Sequence, residues 1–143
     1  MKLTAADEQL LSVLRENARA STAQIARRLD LSRTTVQSRI ERLEREGVIS
    51  GYTVRVHDEY ERGNIRAHIM ITVHPKQMPA VVKALREMPQ VRHLHSVSGG
   101  WDLVAMGVVP TVAEMDVLTD RIGAIDGVER TTSSIILSTK FER

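Results

Sequence analysis

Apolar residues recur with two different periods along this chain, and the change falls between residues 50 and 65. The first part reads as helix after helix. Thr4 caps a first helix with Asp7 at its third position, where free backbone N–H groups point, and Leu10, Leu11 and Leu14 form its apolar stripe until Asn17. Ser21 with Gln24 is a capping box that opens a second helix burying Ile25, Ala26 and Leu29. After the short break Asp30-Leu31-Ser32, a third helix is predicted from Arg33 to Glu46, with Val36, Ile40 and Leu43 inward and Gly47 ending it in a left-handed conformation. Val48 to Val54 reads as extended, with Ser50-Gly51 as a turn.

The second part alternates strands with helices. Ile65 to Val73 is a strand with Ala67, Ile69, Ile71 and Val73 on one face and His68, Met70 and Thr72 on the other. A helix follows from Gln77 to Met88, then a strand from Val91 to Val97, a turn at Ser98-Gly99-Gly100, and a strand from Trp101 to Val109. Thr111 and Glu114 start a helix carrying Val112, Met115, Leu118, Ile122 and Ile125, which Asp126-Gly127 stops, and Val128 to Thr139 is the last strand. This order is the ferredoxin-like βαββαβ plan, with both helices on one face of an antiparallel sheet. Leu103 to Val109 is nevertheless apolar on both faces, so the uncovered face is expected to pack on a second copy, giving a homodimer. The polar run from His57 to Asn64 marks the boundary. The expected architecture is α+β: a helix-turn-helix, winged-helix-like domain over 1–51, a hinge strand and linker over 52–64, and a ferredoxin-like domain over 65–143.

Two short helices around a three-residue break, with Ala26 at the crossing and Leu31 plugging the turn, make a helix-turn-helix. Asp30 stands where glycine is often preferred, and Asp tolerates the backbone angle needed there. Total charge changes the picture little: 20 Lys and Arg face 18 Asp and Glu, a formal +2. Its placement matters more. From Asn17 to Ile40 the arginines Arg19, Arg27, Arg28, Arg33 and Arg39 oppose only Asp30. The third helix shows solvent Arg33, Thr34, Thr35, Gln37, Ser38, Arg39 and Arg42, side chains suited to base edges and phosphates. A solvated charged face is the bland alternative. Coincidence of charge with caps and turn spacing favours duplex DNA, with Ser21, Thr22, Arg27, Arg28 and Ser32 completing the candidate contacts. A symmetric dimer presents two such helices to a two-fold operator.

Other chemistry finds little support. There is no cysteine, so disulfides, thiol catalysis and Cys-ligated zinc are excluded. No apolar run approaches membrane-spanning length and the N-terminus shows no signal peptide, so a cytoplasmic protein is expected. Phosphate loops and nucleophile elbows are missing, so neither an enzyme nor a bound cofactor is expected, although ferredoxin-like folds do host enzymes such as acylphosphatases. His93 and His95 share a strand face, as do His68 and His74, without an acid spaced to complete a metal site; an interface or surface role is favoured. Met70, Met78, Met88, Met106 and Met115 read as core filling. Gly99-Gly100-Trp101-Asp102 is read equally well as a tight hairpin turn or as a cradle in which backbone N–H groups take a carboxylate and Asp102 an ammonium.

The whole chain resembles the leucine-responsive/asparagine (Lrp/AsnC, feast-or-famine) transcription regulators. The resemblance rests on Ile25-Ala26-Arg27-Arg28-Leu29, on Ser32 to Ile40, on Leu43-Glu44-Arg45-Glu46-Gly47-Val48-Ile49 with Gly51-Tyr52, and on Gly99-Gly100-Trp101-Asp102-Leu103, where the family more often carries Tyr than Trp. It implies a sequence-specific DNA-binding regulator that dimerises through its sheet, assembles further into octamers, and binds an amino acid at subunit contacts through Gly99, Gly100, Trp101, Asp102, Thr132 and Ser134. A ferredoxin-like small-molecule module acting on a partner protein is the alternative, and the basic third helix argues against it.

Overall fold

The computed structural model describes residues 2–57, 60 and 63–142. Asp58, Glu59, Glu61 and Arg62 of the predicted connector lie outside the described residues, as do Met1 and Arg143. The chain divides into two compact units, Met1–Arg55 and Val56–Arg143.

The first unit holds α1 (Ala5–Glu16), α2 (Thr22–Leu29) and α3 (Arg33–Arg45). Each starts on the predicted cap. The Thr4 hydroxyl accepts from Asp7 N at 3.2 Å while Thr4 N donates to Asp7 Oδ2 at 3.0 Å. Ser21 and Gln24 repeat that reciprocal arrangement, and the Ser32 hydroxyl accepts from Thr35 N at 3.1 Å. Each such cap contributes about 1 kcal/mol. Asp30 takes the left-handed conformation, φ 53°, and the Leu31 N–H then returns to the Ala26 carbonyl. Leu10, Val13, Leu14, Ile25, Ala26, Val36 and Leu43 form the core, with Leu29, Leu31 and Ile40 packed on it. The fully buried aliphatic side chains contribute roughly 1.5–3 kcal/mol each.

Beyond α3 the extended reading of Val48–Val54, and with it the hinge strand, needs correction. Gly47 does turn left-handed, φ 71°, but the Val48 and Ile49 N–H groups both bond back to the Leu43 carbonyl and close the helix end. Residues 50–57 then run on without strand structure, and Val54 is 81% exposed. A strand needs a ladder partner, and none pairs with this segment among the described residues.

The second unit follows the predicted order: β1 (Ile65–Val73), a 3-10 turn at Pro75–Gln77, α4 (Met78–Arg86), β2 (Val91–Ser96), β3 (Leu103–Val109), α5 (Val112–Gly123) and β4 (Val128–Ile135). The sheet order is β2-β3-β1-β4, with every neighbouring pair antiparallel. Ala67, Ile69, Ile71 and Val73 of β1 and Leu103, Ala105 and Val109 of β3 meet Val81, Leu85 and Met88 from the α4 side and Met115, Leu118 and Ile122 of α5 in one core. Both helices thus cover one face. At Gly107 a Cβ would lie 2.9 Å from Leu118 Cδ2, so glycine lets α5 approach the sheet. Val112, predicted for the buried stripe, stands 59% exposed at the start of α5.

Strand ends differ from expectation where hydrogen bonds redirect the chain. Trp101 and Asp102 stay outside β3, and α5 ends at Gly123, ahead of Gly127 (φ 100°). β4 stops at Ile135, although the Ile136 N–H still reaches the Arg66 carbonyl. On the uncovered face the register aligns His93, Met106, His68 and Ser134 in one row, and His95, Val104, Met70 and Thr132 in the next. Val104, Met106 and Val108 are half-buried there, on the face opposite the two helices of this unit.

Candidate nucleic-acid interface and effector loop

The cap at Ser32 determines what α3 presents. Val36, Ile40 and Leu43 turn toward the helical core, which leaves Arg33, Thr34, Gln37 and Ser38 exposed along the first two turns. Arg27 of α2 is exposed as well. A groove of about 450 Å3 runs between them, lined by Ala23, Ala26, Arg27, Asp30, Leu31, Ser32 and Arg33. Gln37 Nε2 donates to Glu41 Oε1 at 3.0 Å, a surface bond that a stronger partner can replace. Ser21, Ser32 and Thr35 first serve the helix starts; the Ser32 and Thr35 hydroxyl oxygens are 2.7 Å apart. Thr22 is half-buried.

Two predicted contact arginines are engaged elsewhere. Arg28 forms a bidentate pair with Glu16 at 2.7 and 3.1 Å, and this pairing lowers the Glu16 pKa and raises that of Arg28. Arg42 donates to Asp7, which is 1% exposed, and lies 4.0 Å from Glu46. The Asp7 pKa falls below the usual carboxylate range. The Thr4 backbone N–H is the main cause, then the Thr4 hydroxyl; burial opposes them and Arg42 adds to them. Arg39 is half-buried, and its Nη1 is buried without a hydrogen-bond partner. The sequence shows Asp7 as a first-turn carboxylate facing free N–H groups but not as the anchor of Arg42, 35 residues away. Nor does it show the bond that the Tyr52 hydroxyl donates to Glu44 Oε1 at 2.7 Å. That bond, with burial, raises the tyrosine pKa.

The second constellation lies between β2 and β3. Gly99 has φ 102°, which a side chain rarely adopts, and a Cβ at Gly99 or Gly100 would meet nothing within 4 Å. Asp102 is built into the sheet end: its N donates to the Ile71 carbonyl, its carbonyl accepts from Val97 N, and its Oδ2 accepts from Val73 N at 2.8 Å. Trp101 is half-buried beneath Arg130, whose Cζ sits 4.5 Å from a ring centroid. Arg130 pairs with Thr72, Thr132 with Met70 and Ser134 with His68. The strand rise therefore leaves Ser134 roughly 13 Å along β4 from Arg130. The fold gathers Gly99, Gly100, Trp101 and Asp102, keeps Thr132 one row away, and sets Ser134 further off. Arg130 was not singled out from the sequence. Only the register of β4 brings it to Trp101.

The His93 and His95 rings are parallel with centroids 6.3 Å apart, and His74 accepts from Lys76 N in the 3-10 turn. Among the described residues no group of three His, Cys, Asp or Glu could hold a metal ion, and no helix is long and apolar enough to cross a membrane.

Comparison with known proteins agrees with this two-part geometry. Residues 66–143 match the Lrp/AsnC ligand binding domain family, and residues 3–50 match a winged helix-turn-helix DNA-binding family. The HTH-type transcriptional regulator LrpA1 of Halobacterium salinarum is 37% identical over 129 residues, covering 90% of this chain and 91% of that protein. The regulator LysM of Saccharolobus solfataricus is 33% identical over 137 residues, covering 94% of each. Among solved structures, Escherichia coli AsnC superposes with a TM-score of 0.89 at 22% identity, over 100% of this chain and 97% of that one. A Neisseria meningitidis transcriptional regulator in complex with L-Met gives 0.89 at 21%, over 99% and 94%. At such identities the two structures speak to the fold.

Proposed function

Starting from the fact that the chain belongs to the Lrp/AsnC family of DNA-binding transcriptional regulators, we propose that it reads a two-fold operator through α3 while an amino acid bound near the Gly99–Asp102 loop adjusts its assembly or DNA affinity. Arg33, Thr34, Gln37 and Ser38 face base edges and nearby phosphates. Arg27 and the Ser21–Thr22 start of α2 face the backbone. Arg39, half-buried in the middle of α3, reaches a phosphate at the edge of this face. Arg28 and Arg42 act indirectly, by holding α2 to α1 and α3 to α1. The exposed row on the first two turns of α3, fixed by the Ser32 cap, is the observation that carries this reading.

The protein is a cytoplasmic homodimer joined through the uncovered sheet face, and dimers assemble further, toward an octamer. The half-buried Val104, Met106 and Val108 support the first step, since an apolar strand face favours cover. Regulation, not catalysis, is its role. The effector's carboxylate docks on the Gly99–Gly100 backbone, as an L-Met complex in a structural neighbour encourages. Thr132 lies one row along β4, whereas the role proposed for Ser134 requires a subunit contact.

Gel shifts at several salt concentrations test the DNA reading. Arg27→Ala and Arg33→Ala should each weaken binding and lower the salt slope by about one counterion, with circular dichroism unchanged. Unaltered affinity in both variants removes α2 and α3 as the interface.

A further inference from the structure

Of everything on the molecule, the Arg130–Trp101 contact is least explained by folding. Arg130 is exposed, is in no ion pair among the described residues, and rests on an indole face at 4.5 Å. Trp101 adjoins Gly99 and Gly100, where open space begins. The loop's own carboxylate, Asp102, has one oxygen occupied by the Val73 N–H. The loop therefore offers a guanidinium without a carboxylate partner, a flat apolar platform and accessible glycine backbone. A guanidinium–carboxylate pair is bidentate and charge-assisted, whereas an exposed cation–π contact is weak, so an incoming carboxylate gains more from Arg130 than the indole loses.

We infer that Arg130 determines the chemical class of the effector: an acidic amino acid whose side-chain carboxylate takes the guanidinium from the Trp101 face. This rests on the proposed effector role of the loop and narrows it. The α-carboxylate docks on the Gly99–Gly100 backbone, and the second carboxylate meets Arg130. A neutral side chain of the same shape forms only the first contact and leaves the cation–π pair in place. Thr72 steadies the strand end through the contact of its hydroxyl with the Arg130 carbonyl at 3.5 Å.

The molecule carries its own reporter, because Trp101 is the single tryptophan. The intact 143-residue chain is titrated with L-glutamate, L-aspartate, L-glutamine and L-leucine, recording indole emission and melting temperature. The inference expects an acidic amino acid to change the emission and raise the melting temperature, and L-glutamine to bind at least about tenfold more weakly than L-glutamate. Arg130→Gln should reduce the acidic response to the glutamine level while the unliganded melting curve stays as in the wild type. Arg130→Lys, which keeps the charge but not the fork, should recover part of it. Equal binding of glutamine and glutamate, a preference for leucine, or an unchanged glutamate response in Arg130→Gln overturns the inference and leaves an effector loop of another specificity. Silence toward all four amino acids overturns it together with the amino-acid reading of the loop.

Discussion

The three helices of the first unit close a core of their own, whereas the sheet unit covers only one of its two faces. In the first, three capped helices close on Leu10, Ile25, Val36 and Leu43, and even the buried charge Asp7 finds Arg42 within the unit. In the second, α4 and α5 cover one face, and on the other Val104, Met106 and Val108 remain half-buried between rows of histidine, serine and threonine. One unit is a finished reading head. The other is a finished fold with an open apolar strand face, the feature on which the proposed assembly rests.

Breaking this contrast calls for one change on each side. Met106→Asp places a carboxylate in the middle of the open face. If two copies meet there, each dimer must desolvate two added carboxylates, which the flanking His68 and His93 offset only in part, and association weakens by several kcal/mol. Size-exclusion chromatography should then give a monomer with lost operator binding and native circular dichroism; a persisting dimer would place the interface elsewhere. Leu43→Ala removes a fully buried side chain of the helical core and should cost about 2–5 kcal/mol. Its destabilisation should not vary with protein concentration, because that core is complete within one chain. The melting temperature of the wild type should rise with concentration, as for any assembly that binds only the native state.

The same division decides what the sequence could reveal. Caps, stripes and turn residues act within four positions, so the starts of α1, α2, α3 and α5 were legible at Thr4, Ser21, Ser32 and Thr111, as was the left-handed Asp30. The extended reading of Val48–Val54 failed because alternation says nothing about whether a neighbouring strand exists. In the candidate interface, exposure along α3 followed from helical period, but periodicity could not tell the exposed Arg33 from Arg42, whose partner Asp7 is 35 residues away. At the glycine loop, Gly99 and Asp102 were visible as a motif. Arg130 was not, since its place beside Trp101 depends on strand register and a bulge next to Thr72.

The Asp7–Arg42 pair sharpens the comparison through pH. The Asp7 carboxyl is held below its usual range in the folded state, so over that window the unfolded chain binds the proton first. The stabilisation is therefore complete above about pH 4 and drains away as pH falls through the folded value. Asp7→Asn keeps an acceptor for Thr4 N but loses the charge. It should lower the melting temperature of the helical unit at neutral pH and flatten its decline under acid. An acid limb identical to the wild type would mean that other carboxylates govern it.

The smallest expected effect separates two jobs of one residue. Ser32 caps α3 and, in the proposed function, also stands at the end offered to DNA. Ser32→Ala removes the acceptor for Thr35 N and should cost about 1 kcal/mol. Ser32→Asp keeps a good cap and complements the helix dipole, so thermal stability should match or slightly exceed the wild type. Its carboxylate nevertheless faces phosphate, and binding should weaken across all DNA sequences, most at low salt, where screening is least. If Ser32→Asp binds DNA as tightly as the wild type at low salt, this end of α3 does not approach the duplex. The exposed row Arg33, Thr34, Gln37 and Ser38 is then an ordinary solvated face.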